Sequence, residues 1–207
     1  YRNALFILDW AYGKIFAVHL TPDGASYHGR FEEFVTGRPL NVTGADFGPD
    51  GALYFTTGGR RTQSGLYRVR FTGKPKEESG LPALGQTHLE AAKQSRELRR
   101  RLEVFHSEQS IEGLGLAWDN LSHDDFWIRH AARVALENQP IKRWTLPALT
   151  ESDPKRALTA LMALARVADA KVPPQVVARL NDLPWEGLAL EWQLVALRTY
   201  QLAFIRM

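Results

Sequence analysis

The chain has 207 residues, 44% of them hydrophobic, with 26 basic and 23 acidic side chains and no cysteine. The apolar share is enough to bury a core in each of one or two domains, and the near balance of charge leaves no electrostatic footprint for nucleic acid. Without cysteine there is no disulfide, thiol nucleophile, thiolate metal site or CxxCH haem attachment within these residues, and no apolar run reaches the ~20 residues of a membrane span.

From the start of the chain, six short segments rich in aromatic and β-branched residues read as strands: ALFILDW, KIFAVHL, YHGRFEEFV, TGADFG, ALYFTT and GLYRVRF. Each connection between them holds a glycine suited to a tight turn. Strands at this spacing predict a meandering antiparallel architecture such as a propeller or sandwich. The segment NALFILDWAYGKIFAVHL is echoed by DGALYFTTGGRRTQSGLYRVRF at about 47 residues, close to a blade period. Residues 1–74 are therefore expected to be the C-terminal blades of a partial antiparallel β-propeller, about one to two of them. Such a remnant has an open core face and unpaired edges, so poor solubility is expected of the β half alone. Tyr1 at the start and the uncapped apolar pattern running to Met207 fit a piece of a longer protein.

Around TGKPKEESGLPALGQ the composition turns to Gly, Pro, Ser and charge, which places a linker at 75–86. Beyond it the period is helical. Thr87 with Glu90 reads as a capping box, Asp124 as the cap of a helix through FWIRHAARVALEN, and Asp153 followed by Pro154 as the start of another. Leu158, Leu161, Ala165 and Ala168 form one apolar stripe, and shorter helices are expected near 113–121, 140–149 and 174–182. Paired helices at a period of roughly 30 to 40 residues predict a HEAT-like α-solenoid over 87–207, and the fold class is multi-domain, β then α.

The stretch LNVTGADFGPDGALYFTTGGRRTQSGLYRVRF resembles the closing segment of a soluble quinoprotein sugar dehydrogenase-type propeller. That propeller type occurs in a planctomycete and verrucomicrobial family of extracytoplasmic haem-binding proteins, described as membrane-bound dehydrogenase-like. DDFWIRHAARVALENQPIKRW, DPKRALTALMALARV and LVALRTYQLAFIRM resemble the HEAT repeats that follow it there, so the resemblance covers nearly the whole chain in the same order. It implies a periplasmic or secreted location and a c-type cytochrome module beyond the HEAT repeats, hence haem c in the parent protein and none bound covalently here. Related dehydrogenases hold pyrroloquinoline quinone partly through arginines, and the matching positions read Asn41 and Thr43, so quinone binding does not carry over to them.

Four residues are candidates for a site. Arg60 and Arg61 follow two glycines at a strand end, where guanidinium groups suit an anionic substrate or a cofactor carboxylate. Their ordinary reading is a surface loop facing solvent or a neighbouring blade. Asp9 and Trp10 occupy the corresponding loop of the preceding hairpin. A carboxylate beside an indole suits a sugar or the polarising of a hydroxyl, while the ordinary reading is a turn cap and a packing tryptophan.

TPDG and GPDG read as turns rather than calcium loops, the run KQSRELRRRLE as a solvated helix face, and His123 and His130, seven apart, as capping and surface residues; no metal site is predicted. Trp118, Trp127, Trp144, Trp185 and Trp192 read as helical core or as a peptide groove.

The leading expectation is an extracytoplasmic redox protein in which a dehydrogenase-like propeller oxidises a sugar or alcohol and passes electrons to the haem module, the HEAT repeats serving as spacer or as contact for a redox partner. The fragment itself is expected to be inactive. The rival is a non-catalytic scaffold that binds glycan at the propeller and protein along the helices.

Overall fold

A computed structural model describes residues 4–59, 61–73 and 85–206. Tyr1, Arg60, Met207 and most of the expected linker (75–84) lie outside the described residues. The chain divides into a β unit, Tyr1–Asp23 with Tyr27–Gln86, and a helical unit, Gly24–Ser26 with Thr87–Met207.

Each apolar segment of the first part lies in a strand. β1 (Leu5–Asp9), β2 (Lys14–Asp23) and β3 (Ser26–Thr36) form one sheet in that order, and β4 (Val42–Phe47), β5 (Leu53–Gly59) and β6 (Thr62–Val69) form a second. The register Leu5↔Val18 to Asp9↔Lys14 turns Phe6, Leu8 and Ile15 to one face of the first sheet. That face meets Val42, Phe55 and Val69 of the second in a small core. Phe6 stands edge-on to Phe34 at 5.1 Å and to Phe47 at 5.7 Å, while Phe55 stacks on Tyr67 at 5.0 Å. Gly13 (φ 68°) closes the β1–β2 turn, and a Cβ there would lie 2.5 Å from the Gly37 carbonyl oxygen, which only glycine avoids.

The expected propeller is not what forms. A blade is a four-stranded sheet, whereas among the described residues each sheet has three strands. The echo at about 47 residues reflects two hairpins of similar turn chemistry, and hairpins recur in many antiparallel folds.

Seven α-helices follow among the described residues: α1 (Gln86–Val104), α2 (Ile111–Asp119), α3 (Phe126–Asn138), α4 (Thr145–Thr150), α5 (Pro154–Val167), α6 (Pro173–Asp182) and α7 (Leu190–Arg206). α1 begins at Gln86, so Thr87 lies inside it rather than capping it. Asp153 caps α5 as expected, its Oδ1 accepting from the N–H groups of Lys155 (2.8 Å) and Arg156 (3.0 Å), with Pro154 in the first turn. α3 is capped by Asp125 rather than Asp124: its Oδ1 accepts from Trp127 and Ile128, the donors a cap reaches when the helix opens at Phe126. The Asp125 Oδ2 accepts from Ala25, which is fully buried in the helical core.

Helix α5 is the centre of this unit. Eight of its residues are buried, among them Ala157, Ala160, Ala163 and Leu164 beside the expected Leu158, Leu161 and Ala165, so the buried surface is far wider than one stripe. Alanines on α3 (Ala131, Ala132, Ala135) and α7 (Ala196, Ala203) are buried as well, allowing close approach. At the N-terminal end the Arg129 guanidinium lies 4.7 Å and the Lys155 ammonium 5.6 Å from the ring centre of buried Trp192. At the C-terminal end Glu137 accepts from Arg133 and, at 2.8 Å, from Arg166, while Arg206 donates to the Arg166 and Ala168 carbonyls.

These contacts overturn the expected solenoid. The helices have 19, 9, 13, 6, 14, 10 and 17 residues with no recurring unit. α5 packs on α3, α4, α6 and α7 together, whereas a solenoid repeat touches only its neighbours. Capped amphipathic helices at intervals are common to bundles and solenoids, so the sequence pattern does not separate them. The order β then α is as expected.

Candidate functional site

Of the residues singled out by sequence, Asp9 and Trp10 lie at the β1–β2 turn, which is tied to the end of β5 that leads into Arg61. The Trp10 indole Nε1–H, from the β1–β2 turn, donates to the Gly58 carbonyl near the end of β5 at 3.0 Å. The Gly58 N–H donates to the Asn41 carbonyl at 2.9 Å, and the Asn41 side-chain amide donates to the Trp10 carbonyl at 2.8 Å. Three segments distant in sequence are thus locked in a closed ring of hydrogen bonds.

Gly59 completes the frame. Its φ is 91°, and a Cβ there would sit 3.1 Å from the Trp10 ring, so the missing side chain both permits the backbone turn and makes room for the indole. Gly59 pairs with Thr62 across the β5–β6 connection, where Arg61 holds φ 60°. Two-residue hairpin connections favour positive φ, which a non-glycine residue adopts only at a cost. Arg61 is exposed and makes no hydrogen bond or ion pair with the described residues. Arg60 lies outside the described residues.

Asp9 is used structurally. Its Oδ1 accepts from the N–H groups of Ala11 and Tyr12, each at 3.0 Å, which makes it the cap of the β1–β2 turn. Exposed Tyr12 follows in the same turn. The two positions set against the quinone arginines are committed as well. Asn41 belongs to the hydrogen-bond ring, and the Thr43 hydroxyl lies 3.0 Å from that of Thr56. Uncharged and internally paired, they do not fit a quinone carboxylate.

Sequence reading set Trp10 and Arg61 in equivalent loops but did not join the Trp10 turn to the end of β5 through Asn41. The joining bond spans 31 residues, and nothing local to Asn41 marks it. A second feature was missed in the helical unit: on α3, exposed Phe126 and Trp127 lie edge-on at 5.2 Å, with His130 stacked 6.1 Å from Phe126. Burial and then the Arg133 guanidinium hold the His130 pKa below its ordinary 6.5. His123 accepts at Nδ1 from the Asp125 N–H, a local capping role. Among the described residues no three His, Asp or Glu side chains are grouped to hold a metal ion, and no helix is long and apolar enough to cross a membrane. Of the five tryptophans in the helical unit, Trp144 and Trp192 are fully buried.

Comparison of the chain with protein-family models, with curated proteins and with solved structures finds no match.

Proposed function

We propose that this chain is a non-catalytic binding module whose β unit takes an acidic carbohydrate at the Trp10–Arg61 end, the helical unit serving as a rigid scaffold. The observation that carries this reading is the Trp10–Gly58 hydrogen bond at 3.0 Å, which fixes an aromatic ring beside the hairpin that presents Arg61. An aromatic ring with a few convergent polar groups is what a sugar site requires, and a guanidinium forks onto a carboxylate. The positive φ of Arg61 supports it too, because a strained backbone at a loop tip is retained where the position is used.

The dehydrogenase reading needs a carboxylate ready to take a proton from a hydroxyl. Asp9, the acid beside the indole, already caps the turn, so we assign it no chemistry. Haem c and an electron-accepting partner stay attached to the family resemblance alone.

The test is calorimetric titration with a glucuronate-containing oligosaccharide and its neutral glucose counterpart. The acidic sugar is expected to bind, and Arg61→Gln to weaken it about 10- to 100-fold, in line with losing a hydrogen bond to a charged group. Equal affinity for both sugars, or no binding of either, contradicts the proposal.

A further inference from the structure

Helix α7 is apolar on the side turned away from its own bundle as well as on the side turned toward it. It packs on α5 and α6 and buries Trp192, Ala196, Thr199 and Ala203. On the opposite side Leu190 is 69% exposed, Leu194 56%, Leu197 54% and Phe204 62%. Steps of four, three and seven residues keep these four in one line along the helix, with Gln201 between Leu197 and Phe204. A helix that covers a core on one side is ordinarily polar on the other, and one that is apolar all round is covered all round. An exposed apolar stripe of this length marks an interface.

The charges beside the stripe select the occupant. Glu191 and Arg198 are seven residues apart, close to two turns, so both flank the stripe on the same side, the acid toward the start of the helix and the base toward its end. Among the described residues Arg198 makes no ion pair, and its exposed guanidinium donates to the Gln201 side chain. Glu191 is 60% exposed, and its contact with Arg129 is long, at 3.4 Å. That guanidinium is already engaged by the His123 and Asp124 carbonyls and by the Trp192 ring. The neighbouring cations are turned inward: Lys155 lies against the Trp192 ring, and Arg206 donates to the Arg166 and Ala168 carbonyls. Glu186, whose carbonyl accepts from Gln193, adds a second acid at the start of the helix.

A stripe with an acidic start and a basic end is complementary to a copy of itself running in the opposite direction. A two-fold axis across the helix at Leu194 lays each Glu191 beside the second copy's Arg198. The same axis interleaves Leu190, Leu194 and Leu197 with their counterparts and opposes the two helix dipoles. Parallel pairing sets like charges side by side instead. We propose that α7 packs antiparallel on α7 of a second copy of this chain, as a closed two-fold dimer.

Sedimentation velocity of the full chain across a concentration series tests this. A reversible monomer–dimer equilibrium is expected, and Leu194→Lys or Leu197→Lys is expected to raise the dissociation constant at least about 100-fold by placing like charges opposite each other. Leu66→Lys, equally exposed but in the β unit, is expected to leave it unchanged, and far-UV circular dichroism checks that each variant is folded. Arg198→Glu, outside the apolar stripe, is expected to weaken the dimer about 10-fold or more by facing Glu191 with a second acid, so the proposal stays testable if a leucine variant misfolds. Because the chain has no cysteine, an introduced one reports the direction of pairing. Leu194→Cys, at the axis, is expected to cross-link two copies under mild oxidation, whereas Phe204→Cys, about 15 Å from the axis in each copy, is not. A chain monomeric at every concentration, a dimer indifferent to both leucine variants, or cross-linking through Phe204→Cys would overturn the proposal.

Discussion

The helical unit and the β unit solve the same burial problem with different success. In the helical unit, alanines let neighbouring helices close in on α5, and its leucines disappear from solvent. In the β unit, alternation divides the strands' side chains between two faces, and the core centres on Ile15, Val42 and Phe55 while Leu5, Ile7 and Phe31 remain outside. A helix can be surrounded by others of its own unit. A sheet with two apolar faces has, in this unit, a cover for only one.

The sharpest way to test that contrast is to open each core. Leu161→Ala in α5 is expected to cost about 2–5 kcal/mol, because a fully buried leucine leaves a cavity that its packed neighbours cannot fill. Its signature is a lower urea midpoint of the helical signal at 222 nm. In the β unit the comparable weak point is the backbone. Gly59→Ala puts a side chain at φ 91° against the Trp10 ring and is expected to cost about 1–3 kcal/mol. Amide exchange at Gly58 and in β5 should then rise while α5 is unaffected. Loss of protection throughout the helical unit would break the comparison.

The smallest effect concerns pH. His130 is surrounded by Arg133, His106, Glu137 and Arg166, and burial together with the nearby cations lowers its pKa. The unfolded chain therefore binds a proton more readily than the folded one. The contribution of His130 to stability is complete above the ordinary 6.5 and is lost as pH falls through the lower folded value. His130→Gln is expected to flatten the decline in urea midpoint between about pH 8 and pH 5. An unchanged slope would place the acid sensitivity elsewhere.

Local features were legible from sequence to different depths. The strands, the glycine turns and the Asp153–Pro154 helix start rest on short-range rules, and they appear where those rules place them. Asp124 lost the cap of α3 to its neighbour Asp125 because both are good caps and only the first helical residue decides between them. Assembly was not legible. Three-stranded sheets and four-stranded blades share hairpin spacing, and enclosure of α5 depends on contacts between helices far apart in sequence. In the candidate site, Asp9 and Trp10 were found by residue type, but their division into turn cap and ring anchor rests on hydrogen bonds that no spacing encodes.

Hydrogen exchange on the full chain measures the central contrast directly. The account predicts that α5 amides exchange at least about a hundredfold more slowly than those of β1, reporting a closed core in one unit and an uncovered sheet in the other. Protection of β1 equal to that of α5 would contradict it.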